Sequence, residues 1–315
     1  MSRLLEGRGV VITGAGRGLG RSFALAAARA GAGVVVNDID ADEARKVVAE
    51  IEADGGRAIA SGASVTDWAQ TGEMIDGCVR AYGAIDGLVN NAIAYTHFGP
   101  PWEQDAQQIR TAVDVGVTGT LFCGVHAIRH MTSRGSGSIV NLSSRGLMGM
   151  PGTATYSAIK GAAASATYGW ALDVMPHGVR VNALAPGAHT RAHDLAEAAG
   201  MYAPSSRANA VSPDIVAPAV VYLLSDLSRG ITGQMLAMLG GRLGLMRRPG
   251  LLDHVVERDR WTPEEIAEVV ERDYTDLLQP VGIEAREYER PEDPPAAAGH
   301  AASQPPSTTS ELPVT

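Results

Sequence analysis

Tyr156 and Lys160, in the run Tyr-Ser-Ala-Ile-Lys, are the residues whose types and spacing most directly indicate chemistry. Residues four apart share a face of a helix, so the phenol and the ammonium can point into one cleft. A neighbouring cation favours the phenolate and so lowers the pKa of a tyrosine. Such a phenol can act as a general acid or base near neutral pH, which a free tyrosine with a pKa of about 10 cannot do.

The pair gains specificity from what precedes it. Residues 139–142 form an apolar run that predicts a strand, and the strand ends in Ser143 and Ser144. A Tyr-Lys pair alone is common on helix surfaces, whereas a strand ending in serines shortly before it is much less so.

A glycine-rich turn follows the first predicted strand. Gly14, Gly18 and Gly20 are its anchors, and Arg17 and Leu19 lie between them. Glycines allow a tight turn and a close backbone approach, and the N-terminus of the next helix offers free N–H groups to a pyrophosphate. The turn lies between a strand and a helix, as a dinucleotide-binding loop requires.

Asp38 ends the second predicted strand, 24 residues after Gly14. An acid at this point accepts hydrogen bonds from the adenosine ribose hydroxyls and repels a 2′-phosphate. Arg17 could instead attract that phosphate, but no basic residue adjoins Asp38. We therefore predict that the cofactor is NAD rather than NADP.

With these motifs in this order, the chain resembles the short-chain dehydrogenase/reductase family over about residues 7–241. Further matches are Asn90-Asn91-Ala92, Pro186-Gly187 followed by Thr190, and the run 231–234. The resemblance implies a single Rossmann-type domain, often a homotetramer, that transfers hydride between a nicotinamide and a carbinol or carbonyl carbon.

The resemblance also implies residue roles. Tyr156 is the expected acid/base, Lys160 the residue that holds the nicotinamide ribose and lowers the tyrosine pKa, and a serine the residue that orients the substrate oxygen. The expected cofactor-binding residues are Gly14, Arg17, Gly18, Leu19, Gly20, Asp38, Ser64, Val65, Asn91, Tyr156, Lys160, Pro186, Gly187 and Thr190.

The catalytic serine depends on how the family pattern is aligned. Counting thirteen positions back from Tyr156 selects Ser143, whereas counting from the strand selects Ser144. We prefer Ser144, because a surface loop absorbs a one-residue deletion more easily than a buried strand changes register.

Three other positions depart from the family pattern. Ile93 stands where a glycine usually lets the backbone pass close to the cofactor, and Ser64 replaces an aspartate beside the adenine pocket. Gly116 stands where many members carry an asparagine that holds a water of the proton relay. We expect proton exchange with solvent to be slower or to use another route.

The elements that must position these residues alternate along the chain. Short apolar runs at 9–12, 33–36, 58–60, 85–89, 138–142 and 179–182 predict strands, and the stretches 42–53, 68–82 and 156–175 predict helices. Continuous apolar strands that alternate with helices indicate an α/β fold, a doubly wound parallel sheet with helices on both faces.

We predict a dehydrogenase domain over 1–241, with a substrate loop at about 187–210. A C-terminal extension follows over 242–289. Within it, Thr262 and Pro263 provide the N-cap and first position of a short helix that ends near Tyr274. Residues 290–315, rich in Pro, Ala and Ser, cannot bury enough apolar surface to fold and are predicted to be a disordered tail.

The net charge of −9 and a pI near 5.4 argue against a nucleic-acid partner. Two cysteines are too few for a disulfide framework. No signal peptide is evident, and apolar runs such as 216–224 are too short for a membrane span, so we expect a cytoplasmic protein with no membrane partner.

Four histidines form two pairs with helical spacing, 126/130 and 189/193, but each pair lacks a third ligand, so we predict no metal site. His189 or His193 contacting the substrate is the better hypothesis for the second pair. Met148 and Met150 fit an apolar substrate pocket and ordinary core packing equally well.

Two functions remain open. The first is an NAD-dependent dehydrogenase that interconverts a secondary alcohol and a ketone on a mainly apolar substrate, such as a hydroxyacyl, steroid or terpenoid compound or another secondary metabolite. The second, which Gly116 and Ile93 motivate, is an NAD-binding but catalytically weak subunit that pairs with an active relative. In either case we expect a homo- or hetero-oligomer, a dimer or a tetramer.

Overall fold

The computed structural model describes residues 3–189, 191–200, 211–283 and 285–286, with only the backbone at 191–193. Its centre is an eight-stranded sheet in the order β3-β2-β1-β4-β5-β6-β7-β8. The first seven strands pair in parallel, and β8 is antiparallel to β7. The strands are β1 Gly9–Thr13, β2 Gly33–Asn37, β3 Arg57–Ser61, β4 Gly87–Asn90, β5 Gly137–Leu142, β6 Val179–Gly187, β7 Met235–Leu239 and β8 Arg242–Leu245.

The α-helices lie between and after these strands. They are α1 Gly18–Arg29, α2 Ala41–Ala53, α3 Trp68–Tyr82, α4 Ala106–Val113, α5 Gly119–Arg134, α6 Ala154–Val174, α7 Arg191–Ala198, α8 Ala217–Leu224 and α9 Pro263–Val269. A π-helical turn, Asp114–Thr118, joins α4 to α5, and another, Val270–Tyr274, continues α9. The predicted strands and helices are confirmed, with ends shifted by a few residues.

Both faces of the sheet are covered, as the continuous apolar strands predicted. Val10 and Ile12 of β1 face a core built with α1, α2 and α8. Val11, between them, faces the opposite core, built with α3, α5 and α6. The alternation follows from the two-residue period of a strand. The predicted α/β fold, a doubly wound sheet in a single domain, is therefore confirmed.

The sheet continues past the predicted domain end at Gly241, because β8 forms a hairpin with β7. The extension then contacts the domain again at Tyr168 of α6, whose ring lies 6.0 Å from the Arg248 guanidinium carbon. Thr262 caps α9 with a reciprocal capping box to Glu265, so the predicted helix start is confirmed. The tail over 290–315 and part of the substrate loop, residues 190 and 201–210, lie outside the described residues.

The run 106–134 is long and apolar enough to cross a membrane by composition. Its helices pack against α3, α6 and the sheet, where Cys123, Ala127 and Met131 of α5 are fully buried. A core helix that packs in this way passes the same test of length and hydropathy, so the stretch is weak support for a membrane span.

Candidate active site

Lys160 lies on α6 one turn after Tyr156, and its ammonium nitrogen is 5.7 Å from the centre of the tyrosine ring. The lysine side chain is buried, and Nζ donates a hydrogen bond to the carbonyl oxygen of Leu142 at 2.7 Å. Burial lowers the pKa of Lys160 to about 8, because a charged ammonium is disfavoured away from water. The predicted pair thus faces one cleft at the carboxyl end of β5.

The two serines after β5 differ in what their hydroxyl groups do. Ser143 is 1% exposed, and its Oγ donates to the Lys160 carbonyl oxygen at 2.8 Å. Ser144 is half-buried, and its Oγ accepts a hydrogen bond from the Gly146 amide at 3.0 Å. The Ser144 hydroxyl hydrogen has no acceptor within the part of the chain that the structure describes. Ser144 therefore has a donor to offer a ligand, whereas the Ser143 donor is already used.

Ser144, Tyr156 and Lys160 line one cavity of about 170 Å³. Pro186 and Gly187, at the end of β6, lie on the same cavity. The lining residues are Leu19, Asn91, Ile93, Tyr95, Phe98, Leu142, Ser143, Ser144, Met150, Thr153, Tyr156, Lys160, Pro186, Gly187, Ala188 and Ala196. Lys160 is the one ionised side chain among these described lining residues.

A second cavity, of about 390 Å³, lies over the glycine turn and shares Leu19, Asn91, Ile93 and Tyr95 with the first. Its lining includes Gly14, Arg17, Gly18, Leu19, Gly20, Asp38, Ser64, Val65 and Asn91. All the predicted cofactor residues that the structure describes line one of the two cavities, and Thr190 lies outside the described residues.

The glycine turn fits a close-lying anion. Gly18 has a φ of +54°, which L side chains rarely adopt, and a Cβ built there would meet only open space. A Cβ built on Gly20 would overlap the Gly14 carbonyl oxygen, so this position needs a glycine. The turn leads into α1, whose first residues Gly18, Leu19 and Gly20 line the cavity, and the first N–H groups of a helix are free to bind a pyrophosphate.

The carboxylate of Asp38 is held firmly at the rim of the turn. Its Oδ2 accepts the Gly16 amide at 2.9 Å and its Oδ1 accepts the Asp40 amide at 3.0 Å. Each oxygen keeps a lone pair for a ribose hydroxyl. The fixed negative charge fits a ribose diol and disfavours a phosphate on it.

Arg17 forms salt bridges to Asp40 at 2.8 Å and to Glu43 at 3.2 Å. Lys46 and Arg17 together lower the pKa of Glu43 to about 2. The charge of Arg17 is thus already paired with two carboxylates, and its attraction for a 2′-phosphate is reduced.

Asn91 lines both cavities and joins the end of β4 to the end of β1 by hydrogen bonds. Its side-chain amide donates to the carbonyl oxygens of Thr13 and Gly14 at 2.8 and 2.9 Å. The Ser64 amide donates a hydrogen bond to Gln70 Oε1 at 3.0 Å, and the Ser64 hydroxyl pairs with that of Thr66 at 2.9 Å. Val65 is buried beneath it. Ser64 and Val65 both line the cavity over the glycine turn.

Gly116 lies inside the π-helical turn between α4 and α5, packed against α6. A Cβ built on Gly116 would overlap Cγ2 of Ile159, the residue before Lys160. The Gly116 carbonyl oxygen accepts a hydrogen bond from Thr120 Oγ1 at 2.9 Å. A side chain at 116, asparagine included, would therefore have to displace Ile159.

Tyr95 and Phe98 were missed by the sequence analysis. The Tyr95 ring stacks between Phe98, with centroids 5.9 Å apart, and Tyr156, with centroids 5.8 Å apart. Burial raises the pKa of Tyr95 far above its ordinary value, so its phenol stays neutral. A signal was present, since two of the few aromatic residues follow the Asn-Asn-Ala motif directly.

The histidine pairs lie apart from this chemistry. His126 contacts the Trp68 carbonyl oxygen, His130 pairs with Asp76, and His189 pairs with Asp194 at 2.9 Å. The side chain of His193 lies outside what the structure describes. No group of three metal-ligating side chains occurs among the described residues.

The arrangement has clear counterparts among known proteins. Residues 8–197 match the family model described as short chain dehydrogenase. Cis-4-hydroxycyclohexanecarboxylate dehydrogenase from Sinomonas cyclohexanicum is 35% identical over 250 residues, which cover 76% of this chain and 98% of the relative.

Two solved structures are also similar. A short chain dehydrogenase from Mycobacterium avium has 34% identity and a TM-score of 0.74, covering 85% of this chain and 94% of that one. A 7α-hydroxysteroid dehydrogenase complexed with NADH and 7-oxo glycochenodeoxycholic acid has 29% identity and a TM-score of 0.69, covering 76% and 96%. This chain belongs to the short-chain dehydrogenase family and is an alcohol oxidoreductase of that family.

Proposed function

We propose that this protein is an NAD-dependent dehydrogenase that interconverts a secondary alcohol and a ketone on a mainly apolar substrate. One observation carries the proposal. Tyr156, Lys160 and the free hydroxyl of Ser144 line a single cavity that is continuous with the cavity over the glycine turn and Asp38. A substrate oxygen bound there can meet an acid/base and a hydrogen-bond donor at once.

The bound nicotinamide supplies the acceptor or donor of the hydride. In oxidation, Tyr156 as phenolate takes the proton of the substrate hydroxyl while the hydride leaves the carbinol carbon. Ser144 donates a hydrogen bond to the substrate oxygen and holds it toward Tyr156. The Lys160 ammonium, 5.7 Å from the tyrosine ring, favours the phenolate by its charge. In reduction the same proton returns from Tyr156 to the oxygen.

The choice of NAD rests on charge. Asp38 is fixed by two backbone amides at the rim of the cofactor cavity, and Arg17 is paired with Asp40 and Glu43. A phosphate on the ribose would meet a carboxylate without a free cation beside it. The similar 7α-hydroxysteroid dehydrogenase was solved with NADH, which supports the same choice.

The substrate class follows from the wall of the catalytic cavity. Ile93, Tyr95, Phe98 and Met150 give it a broad apolar surface, and the Tyr95–Phe98 stack is flat. A flat apolar wall favours a ring beside the carbinol carbon. The relatives named for a hydroxycyclohexanecarboxylate and for a hydroxysteroid act on ring alcohols, and we propose a cyclic secondary alcohol here as well.

NADH formation, followed by absorbance with a panel of cyclic and linear secondary alcohols, tests the proposal. Turnover should be highest with neutral cyclic alcohols, and Tyr156→Phe should abolish it while NAD still binds. Activity that survives in Tyr156→Phe would remove the chemistry from this site.

The alternative is a cofactor-binding but catalytically weak subunit. Gly116 favours it, because glycine offers no side chain to a proton relay and Ile159 fills the space that such a side chain would occupy. NAD binding by calorimetry together with no turnover on any alcohol, and recovery of turnover only with a second chain, would support this alternative.

We also propose a homo-oligomer, a dimer or a tetramer. Trp68 on α3 and Leu121 on α5 are 41% and 40% exposed, and Trp68 packs edge-on against Phe122 beside them. Exposed apolar residues grouped on neighbouring helices are typical of subunit contacts. Light scattering after size-exclusion chromatography tests this, and a monomer at micromolar concentration would contradict it.

A further inference from the structure

We propose that the C-terminal turn formed by residues 281–283 and 285–286 is a positioning element of the active site, which holds the loop between Ser144 and Tyr156 and thereby limits the size of the substrate. The substrate side of this inference rests on the proposed function. The turn belongs to a part of the chain that the hydroxycyclohexanecarboxylate dehydrogenase does not share, since 98% of that relative covers 76% of this chain.

The turn is closed by its own backbone. Val281 and Arg286 form an antiparallel bridge, with hydrogen bonds of 2.7 and 3.0 Å in the two directions. The Ala285 amide donates to the Gly282 carbonyl oxygen at 3.1 Å. Ala285 has a φ of +51°, a conformation that a residue with a side chain adopts at an energetic cost. Because these three backbone hydrogen bonds hold its conformation, the turn presents its remaining backbone groups in fixed positions.

That surface contacts the active-site loop. The Ile283 amide donates a hydrogen bond to the Gly149 carbonyl oxygen at 3.0 Å. Both glycines have a positive φ, +99° at Gly149 and +76° at Gly282. A Cβ built on Gly282 would lie only 3.1 Å from the Gly149 oxygen, whereas one built on Gly149 would make an ordinary contact of 3.6 Å with the Gly282 Cα. The contact therefore joins main chain to main chain.

The loop that receives this contact forms part of the catalytic cavity. Met150, next to Gly149, lines the cavity. A Cβ built on Gly146 would lie 2.9 Å from Tyr156 Cε1, 3.2 Å from Met150 Sδ and 3.3 Å from Ser144 Oγ, so these groups surround one point. A shift of this loop would move Met150 and Ser144 relative to the acid/base.

The loop is held on its other side by the segment after β4. The Gly99 amide donates to the Gly152 carbonyl oxygen at 3.0 Å, and this segment also carries Tyr95 and Phe98. One hydrogen bond thus joins the loop to the segment with Tyr95 and Phe98, and the hydrogen bond from Ile283 joins the loop to the C-terminal turn. Without the hydrogen bond from Ile283, Met150 can move outward and the cavity can admit larger substrates.

Three variants of the full chain separate the backbone contact from the side chains. Ile283→Pro removes the donor, whereas Ile283→Ala keeps it. Gln279→Pro is the matched control, because the Gln279 amide donates no hydrogen bond within the described residues. Leu278 before it has a ψ of 134°, which a following proline accepts.

The first readout is amide hydrogen exchange at Leu147 and Gly149, which are hydrogen-bonded within the loop. Exchange should be about fivefold faster in Ile283→Pro, the effect of losing one net hydrogen bond, and unchanged within twofold in the other two variants. Equal exchange in all variants would overturn the holding role.

The second readout is selectivity between a small and a bulky cyclic alcohol. Ile283→Pro should lower KM for the bulky alcohol several-fold relative to the small one, with NAD affinity unchanged. An equal loss of kcat on both alcohols would indicate a merely structural effect and overturn the size-limiting role. If the unmodified chain turned over no alcohol, the proposed function would fail, while the exchange data would still support or overturn the holding of the loop.

Discussion

Exchanging the two serines after β5 for alanine, one at a time, distinguishes the roles that the structure indicates for them. Ser144 has a free hydroxyl donor at the catalytic cavity, whereas the Ser143 donor is bonded to the Lys160 carbonyl oxygen. Both variants delete one oxygen atom from adjacent positions. The difference between them therefore isolates the donor that reaches the substrate.

Losing one donor to an oxygen that becomes negative in the reaction costs about 10²–10³ in kcat, or roughly 3–4 kcal/mol. We expect a loss of that size in Ser144→Ala, together with a stability cost of about 1 kcal/mol from the lost hydrogen bond to the Gly146 amide. In Ser143→Ala the buried hydrogen bond disappears instead, which costs about 1–2 kcal/mol of folding free energy. That variant should melt a few degrees lower and keep most of its turnover.

Initial rates at saturating NAD and thermal melting, measured on the same two preparations, give both numbers. A loss of turnover of about 10²-fold or more in Ser143→Ala at unchanged melting temperature, with Ser144→Ala still active, would refute the assignment of Ser144. That result would identify Ser143, thirteen positions before Tyr156, as the serine that orients the substrate. It would also mean that the Ser143 hydroxyl gives up its hydrogen bond to the Lys160 carbonyl oxygen when the cofactor binds.

Three further predictions concern charge and packing. Asp38→Ala should raise kcat/KM with NADP relative to NAD by tenfold or more, because a carboxylate about 4 Å from a phosphate repels it by ~1–4 kcal/mol. An unchanged ratio of the two kcat/KM values, with Arg17 still paired, would contradict this. Lys160 has a pKa of about 8 in the folded chain and 10.5 as its ordinary value, so between these pH values the unfolded lysine binds more protons and its contribution to stability rises with pH. The stability of the unmodified chain relative to Lys160→Met, measured by urea unfolding, should therefore rise by about 3 kcal/mol across this range, and a constant difference would contradict the assignment. Gly116→Ala should be destabilised by overpacking, and Ile159→Ala in the same chain should recover at least ~1 kcal/mol of it in a double-mutant cycle; additive effects would contradict the contact.

Much of the fold could be predicted from local patterns. The apolar runs of β1 and β2 are continuous because both faces of the sheet are covered, and the periods of α2 and α3 are helical because one face of each is buried. β7 and β8 were not predicted. β7, Met235–Leu239, pairs with β8, which lies beyond the last recognised motif at 231–234. Neither segment has a local signal that distinguishes an edge hairpin from a loop.

The candidate cofactor and catalytic residues could be proposed from the sequence for a different reason. A glycine turn, an acid after β2 and a Tyr-Lys pair each act through their own type and spacing, so they can be recognised before the chain is folded. Tyr95 was not predicted, because an irregular segment has no helical or strand periodicity that would place its side chains. Only its stacking on Tyr156 makes it part of the site.

The sequence by itself determined the α/β class, the family and the candidate residues Asp38, Tyr156 and Lys160, because these depend on side-chain type and on separations of a few residues. Only the tertiary structure decided that the Ser143 donor is used by Lys160, that Ile159 fills the space beside Gly116, and that residue 283 reaches back to Gly149. Each of these is a contact between segments that no local pattern connects. Close packing of distant parts of the chain, rather than any single motif, sets the shape of this site.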